Sequence, residues 1–179
     1  PGYVNLNLLR RWTLKDLGDL AGRRARLDRL LEDRAPIVLG GVAPIWAYVA
    51  AVHYIWWRDP DALIDLFDPK LSTGLVRILR AFTPEPRALL ARQIKVAWRT
   101  PLSAPVGTTL LAIDMTTADR KISPAAVHTL PQAPLPEGPP LPAGPLVAYG
   151  MAPIWLHLAY TRWLRNTYPG RSIGLWDAN

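Results

Sequence analysis

The chain has 179 residues, half of them apolar, with eight tryptophans, nineteen prolines and a net charge of +7. That composition excludes a disordered chain, and the lack of any cysteine excludes disulfides, thiolate catalysis and cysteine zinc sites. The positive balance favours a polyanionic partner (RNA, a nucleotide or an acidic membrane surface), while also serving plain solubility. Pro1-Gly2-Tyr3 has neither the charged start nor the apolar core of a secretory leader, so a cytoplasmic location is expected.

Val4 to Leu9 alternates loosely and predicts a short strand. Thr13 can cap a helix whose Leu14, Leu17, Leu20, Leu27 and Leu30 recur at helical spacing, with Arg23, Arg24, Arg26 and Arg29 on its outer face. Pro36 to Leu39 predicts a buried strand ending at Gly40-Gly41. Pro44 suits the first turn of a following helix, where its missing N–H costs nothing, and Arg58-Asp59-Pro60 stops that helix after about Trp57. The apolar run from Val42 to Trp57 falls short of the ~20 residues a membrane span needs, so a core helix and no membrane partner are expected. Leu63 to Phe67 predicts the next strand, and Gly74 to Leu79 another, paired with it or nearby. Strand, glycine turn, helix and strand form a crossover unit, which makes the two strands parallel. Pro84 to Arg99 is a connector whose second half fits helix or strand. Beyond it come a strand at Leu110 to Met115 and a short helix opened by Ser123-Pro124. Seven prolines between Pro131 and Pro145 are too many for a helix. A strand at Pro145 to Ala148, a helix at Pro153 to about Thr167 and a strand at Ser172 to Trp176 complete the chain.

One stretch occurs twice. Gly41-Val42-Ala43-Pro44-Ile45-Trp46 returns as Gly150-Met151-Ala152-Pro153-Ile154-Trp155, an offset of 109 residues. Asp68 and Asp177 each follow their tryptophan by 22 residues, so the offset holds at both landmarks. This predicts an α/β fold built by tandem duplication: two repeated β-α-β units related by a pseudo-twofold, each a mixed or parallel sheet with helices packed on it. The expected division is a first repeat over 1–82, a connector over 83–106 and a truncated second repeat over 107–179.

In such units ligands collect at the carboxyl ends of the strands and at the helix N-terminus. Gly40, Gly41 and Gly150 sit there, where backbone amides and the helix dipole can hold a phosphate, or where glycine merely permits a tight turn. Asp68 and Asp177 end the neighbouring strands. Trp46 and Trp155, in the first helical turn, suit either a core or a stacking platform for a base. His53 stands two turns after Trp46 on the same face, and His157 two residues after Trp155. The copies do not repeat a histidine: His53 corresponds to Arg162 and His157 to Tyr48. No two histidines have ligand spacing, so no metal or other cofactor is expected. Neither a Walker loop nor a serine-nucleophile elbow is present.

The run from Gly150 to His157, with Phe67-Asp68-Pro69-Lys70-Leu71, resembles a small family, the third group of ring nucleases of type III CRISPR systems, once described as a manganese-dependent exoribonuclease. Its helix reads Gly-x-Gly-Pro-Ile-Trp-Leu-His and its next strand ends Tyr-Asp-Pro-Arg-Leu. The resemblance covers about 40 residues of each copy. It implies an α/β sheet that binds cyclic oligoadenylate between units and cleaves it, switching off an antiviral signal. Two further family histidines have no counterpart, since Trp56 and Arg165 occupy one position and no histidine lies between Leu71 and Arg99.

Cleavage of this kind needs neither metal nor protein nucleophile, because the ribose 2′-hydroxyl can attack its neighbouring phosphate. The expected catalytic residues are His53, His157 and Asp68. The expected ligand contacts are Gly40, Gly41, Trp46, Lys70, Gly150, Trp155, Arg162 and Asp177, with Arg58 a further candidate for the developing charge. The alternatives are a non-catalytic sensor signalling to a separate effector and a scaffold subunit using its tryptophan-rich helices for association. Homodimerisation is an open partner choice, and DNA is not an expected ligand.

Overall fold

The computed structural model describes residues 2–6, 19–34, 36–67, 74–78, 84, 93–100, 109–115, 133–140 and 143–175. The chain divides into two compact α/β units, Pro1–Ile78 and Leu79–Asn179, each with its own four-stranded mixed sheet.

The first unit runs β1 (Gly2–Asn5), α1 (Asp19–Glu32), β2 (Ile37–Gly40), α2 (Ile45–Arg58), β3 (Ile64–Phe67) and β4 (Leu75–Arg77). Sheet order follows chain order, with β1, β2 and β3 parallel and β4 antiparallel to β3. Two crossovers through helices make the parallel pairs, as the apolar strand–turn–helix pattern requires. Ile37 and Leu39 lie in register with Ile64 and Leu66, and Val76 continues that face; all five are buried. α2 adds Ala47, Tyr48, Ala51, Val52, Ile55 and Trp56, a stripe at helical spacing. The opposite face of β3 carries Asp65, 9% exposed, held through both carboxylate oxygens by its cross-strand partner Arg77 at 2.5 and 3.0 Å. The hydrogen bond to Asp65 holds the Arg77 guanidinium above its usual pKa. Between the helices, Arg24 donates to the Tyr54 hydroxyl (2.9 Å), which donates to Asp28 (2.5 Å), itself 3.4 Å from Arg58.

The second unit runs β5 (Ile94–Arg99), β6 (Thr109–Met115), β7 (Leu146–Tyr149), α3 (Ile154–Thr167) and β8 (Ile173–Leu175). Here β6, β7 and β8 are parallel, and β5 is antiparallel to β6. α3 is buried around its whole circumference from Trp155 to Thr161, unlike α2. Trp98 of β5, Tyr160 and Trp163 of α3, and Tyr168 at its C-cap form an aromatic cluster with ring centroids 6.0–6.3 Å apart. The proline-rich segment packs in this unit: Ala133, Pro134 and Pro136 are buried, the Glu137 amide donates to Val96 (3.0 Å), and the Tyr160 hydroxyl donates to the Pro134 carbonyl (2.5 Å). Burial pushes the Tyr160 phenol well above its ordinary range.

Several sequence expectations shift. The first strand is described over Gly2–Asn5, residues 7–9 of the expected Val4 to Leu9 strand lying outside the described residues, and the undecided half of the connector is strand β5, the sheet edge of the second unit. The helix expected from Thr13 is described from Asp19 onward, and the one expected at Ser123-Pro124 lies outside the described residues. The Gly74 to Leu79 strand is β4, paired antiparallel with β3. Among the described residues, no helix is long and apolar enough to cross a membrane.

Arg77→Met leaves the Asp65 carboxylate enclosed without its partner. Since Arg77 is itself half-exposed, the expected loss of stability is roughly 1–2 kcal/mol, measured by urea unfolding at low and high salt.

Candidate functional site

The turns that link strand to helix are built alike in both units. β2 ends at Gly40 and α2 starts at Ile45; β7 ends at Tyr149 and α3 starts at Ile154. Gly41 has φ 114° and Gly150 has φ 120°, a left-handed conformation that residues with a side chain rarely adopt. Pro44 (φ −66°, ψ 153°) and Pro153 (φ −60°, ψ 149°) follow in extended conformation as N-caps, with no acidic residue in the first turn of either helix. Neither cap makes a side-chain hydrogen bond among the described residues. A proline cap contributes no side-chain acceptor, but its carbonyl serves the first turn: the Ala47 amide donates to Pro44 and the Leu156 amide to Pro153, each at 3.0 Å.

Each turn is also fastened from its helix. The Tyr48 hydroxyl donates to the Gly41 carbonyl, and His157 Nε2 donates to the Gly150 carbonyl at 3.2 Å. A carbonyl only accepts, so Nε2 of His157 carries the proton. Tyr48 is one of the pair that sequence reasoning passed over as a site residue. The signal was there in the alignment of the copies, which places Tyr48 opposite His157, each seven residues after its glycine. The residue after each glycine is apolar and exposed, Val42 at 84% and Met151 at 57%.

The expected site residues separate into groups. Gly41 and Gly150 occupy the turns. Gly40 is buried inside β2, opposite Asn5, and its carbonyl accepts from the Leu6 amide at 2.7 Å, so its role is sheet closure rather than ligand contact. Trp46 is half-buried, but Trp155 is 1% exposed and is a core residue, which corrects its assignment as a stacking platform. His157 is likewise 1% exposed and committed to the Gly150 carbonyl, which removes it from contact with solvent and from a proton-transfer role at the surface. His53 and Arg162, half-buried, stand eight residues beyond the starts of α2 and α3, about 12 Å along each axis and away from the turns. Asp68, Lys70 and Asp177 lie outside the described residues. Arg58 sits at the far end of α2, paired with Asp28.

That far end holds a hollow of ≈ 580 Å³ in the first unit, at the amino ends of β2 and β3. Asp28, Glu32, Asp59 and Asp61 line it against Arg34 and Arg58, an excess of carboxylates that repels a phosphate.

Gly41→Ala and Gly150→Ala are each expected to cost about 1–3 kcal/mol from backbone strain, read as a lowered urea midpoint. Gly174→Ala is the control, because a Cβ there meets only Val147 Cγ2 at an ordinary 3.5 Å and should be tolerated.

Comparison with known families adds one match. Residues 23–85, about a third of the chain, match the family model described as CRISPR-associated protein (Cas_csx3). No curated protein and no solved structure matches the chain. The segment holding α1, β2, α2, β3 and β4 is thus similar to a CRISPR-associated protein family.

Proposed function

We propose that the chain serves a CRISPR system by binding cyclic oligoadenylate at the glycine turns that open α2 and α3. The observation that carries this reading is the repeated turn, with the same left-handed glycine, extended proline and helix start in each unit. In each unit an anionic ligand would meet at the turn the positive end of one helix dipole, in a chain of net charge +7. The family resembled around Asp68 and Gly150 takes that ligand, and the match over residues 23–85 supports the coarser link to CRISPR. We read the units as tandem copies, since Ile37 and Leu146, Ile45 and Ile154, and Ile64 and Ile173 all lie 109 residues apart.

The placement of the histidines favours a non-catalytic sensor that passes the signal to a separate effector. His157 is enclosed, with its Nε2–H given to the Gly150 carbonyl, and His53 stands about 12 Å along α2 from the turn. Ring cleavage is the second reading, supported by a match that takes in His53, Asp68 and Lys70. In it a ribose 2′-oxygen attacks the adjacent phosphorus, the bond to the next 5′-oxygen breaks, and that oxygen takes a proton. The products are a 2′,3′-cyclic phosphate and a 5′-hydroxyl.

Incubation with labelled cyclic oligoadenylates of three to six residues, in EDTA, separates these readings. Tight binding of an intact ring is the expected result. Linear products with a 2′,3′-cyclic phosphate end would replace the sensor with a metal-independent ring nuclease, and neither binding nor turnover with any ring would sink both.

A further inference from the structure

Two different side chains perform one task at equivalent places. Position 48 is tyrosine and position 157 is histidine, yet each reaches back seven residues to donate to the carbonyl of a glycine with φ near 115–120°. Both are buried. Phenol and imidazole share little chemistry beyond an aromatic body with a hydrogen-bond donor at its tip.

We infer that Tyr48 and His157 are positioning residues that set the peptide plane following each glycine turn, and that the position requires a donor of the right reach rather than imidazole chemistry. In a trans peptide the C=O and the next N–H point in opposite directions. Fastening the Gly41 carbonyl toward α2 therefore directs the Val42 amide away from it, and the same holds for Gly150 and Met151 in the second unit. The orientation of that peptide sets the shape that the turn presents to a ligand. This inference rests on the ligand reading above for its functional consequence, but its structural half stands apart from any ligand.

The burial of His157 decides between this role and proton transfer. A general base must reach the proton it takes. His157 is 1% exposed and its Nε2–H is already given to a backbone oxygen. A leucine or phenylalanine would fill the same apolar space, so packing alone does not explain why both units place a donor here.

The test exchanges the two residues and compares that with deleting the donor. Tyr48→His and His157→Tyr are set against Tyr48→Phe and His157→Phe, with cyclic tetra-adenylate and cyclic hexa-adenylate as probes. The exchanged proteins should bind within about twofold of the parent, and each Phe variant should lose about five- to tenfold, the worth of one hydrogen bond. Amide hydrogen exchange over residues 40–43 and 149–152 is measured on the same proteins without ligand. Faster exchange in the Phe variants, restored in the exchanged ones, supports the positioning role even if no ring binds. Unchanged exchange and unchanged binding in the Phe variants overturns it, as does a His157→Tyr protein that behaves like His157→Phe. If the parent binds neither ring while the exchange pattern holds, the ligand reading fails and the positioning role survives.

Discussion

A chain leaving a parallel strand must reverse and enter a helix with few residues to spare, and here it has four. Gly41 to Pro44 and Gly150 to Pro153 make that reversal in the same way, with the first residue left-handed and the last an extended proline. Glycine relieves the steric cost of the first step, and proline presets the second. A side chain from the first turn then takes the carbonyl that the reversal leaves pointing at the helix. Loss of the glycine conformation would disturb the turn and the start of the helix it leads into.

The two units keep this frame while treating their helices differently. α2 leaves Trp57 and Arg58 exposed and joins α1 through the Arg24–Tyr54–Asp28 chain. α3 is enclosed on every side over its first two turns and gathers the aromatic cluster at its other end. The same register position is therefore half-buried as Trp46 and fully enclosed as Trp155. Enclosure also accounts for Thr161, 0% exposed, whose hydroxyl donates to the His157 carbonyl of its own helix at 2.8 Å.

The α/β class, the parallel pairing and the positions of both central helices were legible because apolar periodicity and the glycine–proline punctuation agree at those points. Ile45–Arg58 and Ile154–Thr167 fall within a residue or so of the ranges their sequence predicts. Strand β5 was not legible, because Ile94, Val96 and Trp98 alternate toward the core while the preceding connector reads equally well as helix. Gly41 and Gly150 were legible as turns, whereas the enclosure of His157 and Trp155 was not. Sequence places both near a helix start but is silent on which side of that helix faces solvent, and α3 has no such side there. Adjacent glycines look alike in a sequence, and of Gly40 and Gly41 only Gly41 has the left-handed φ.

The proline-rich segment has a consequence at the rim of the second unit. β5 ends its sheet, and an unoccupied margin of N–H and C=O groups invites a strand from another molecule to add on. Glu137 takes the Val96 carbonyl and bridges Ala97, while Pro134, Pro136, Pro139 and Pro140 around it have no N–H with which to continue a ladder. The middle of that margin, at Val96 and Ala97, is thus covered by a segment whose prolines cannot continue a ladder of their own.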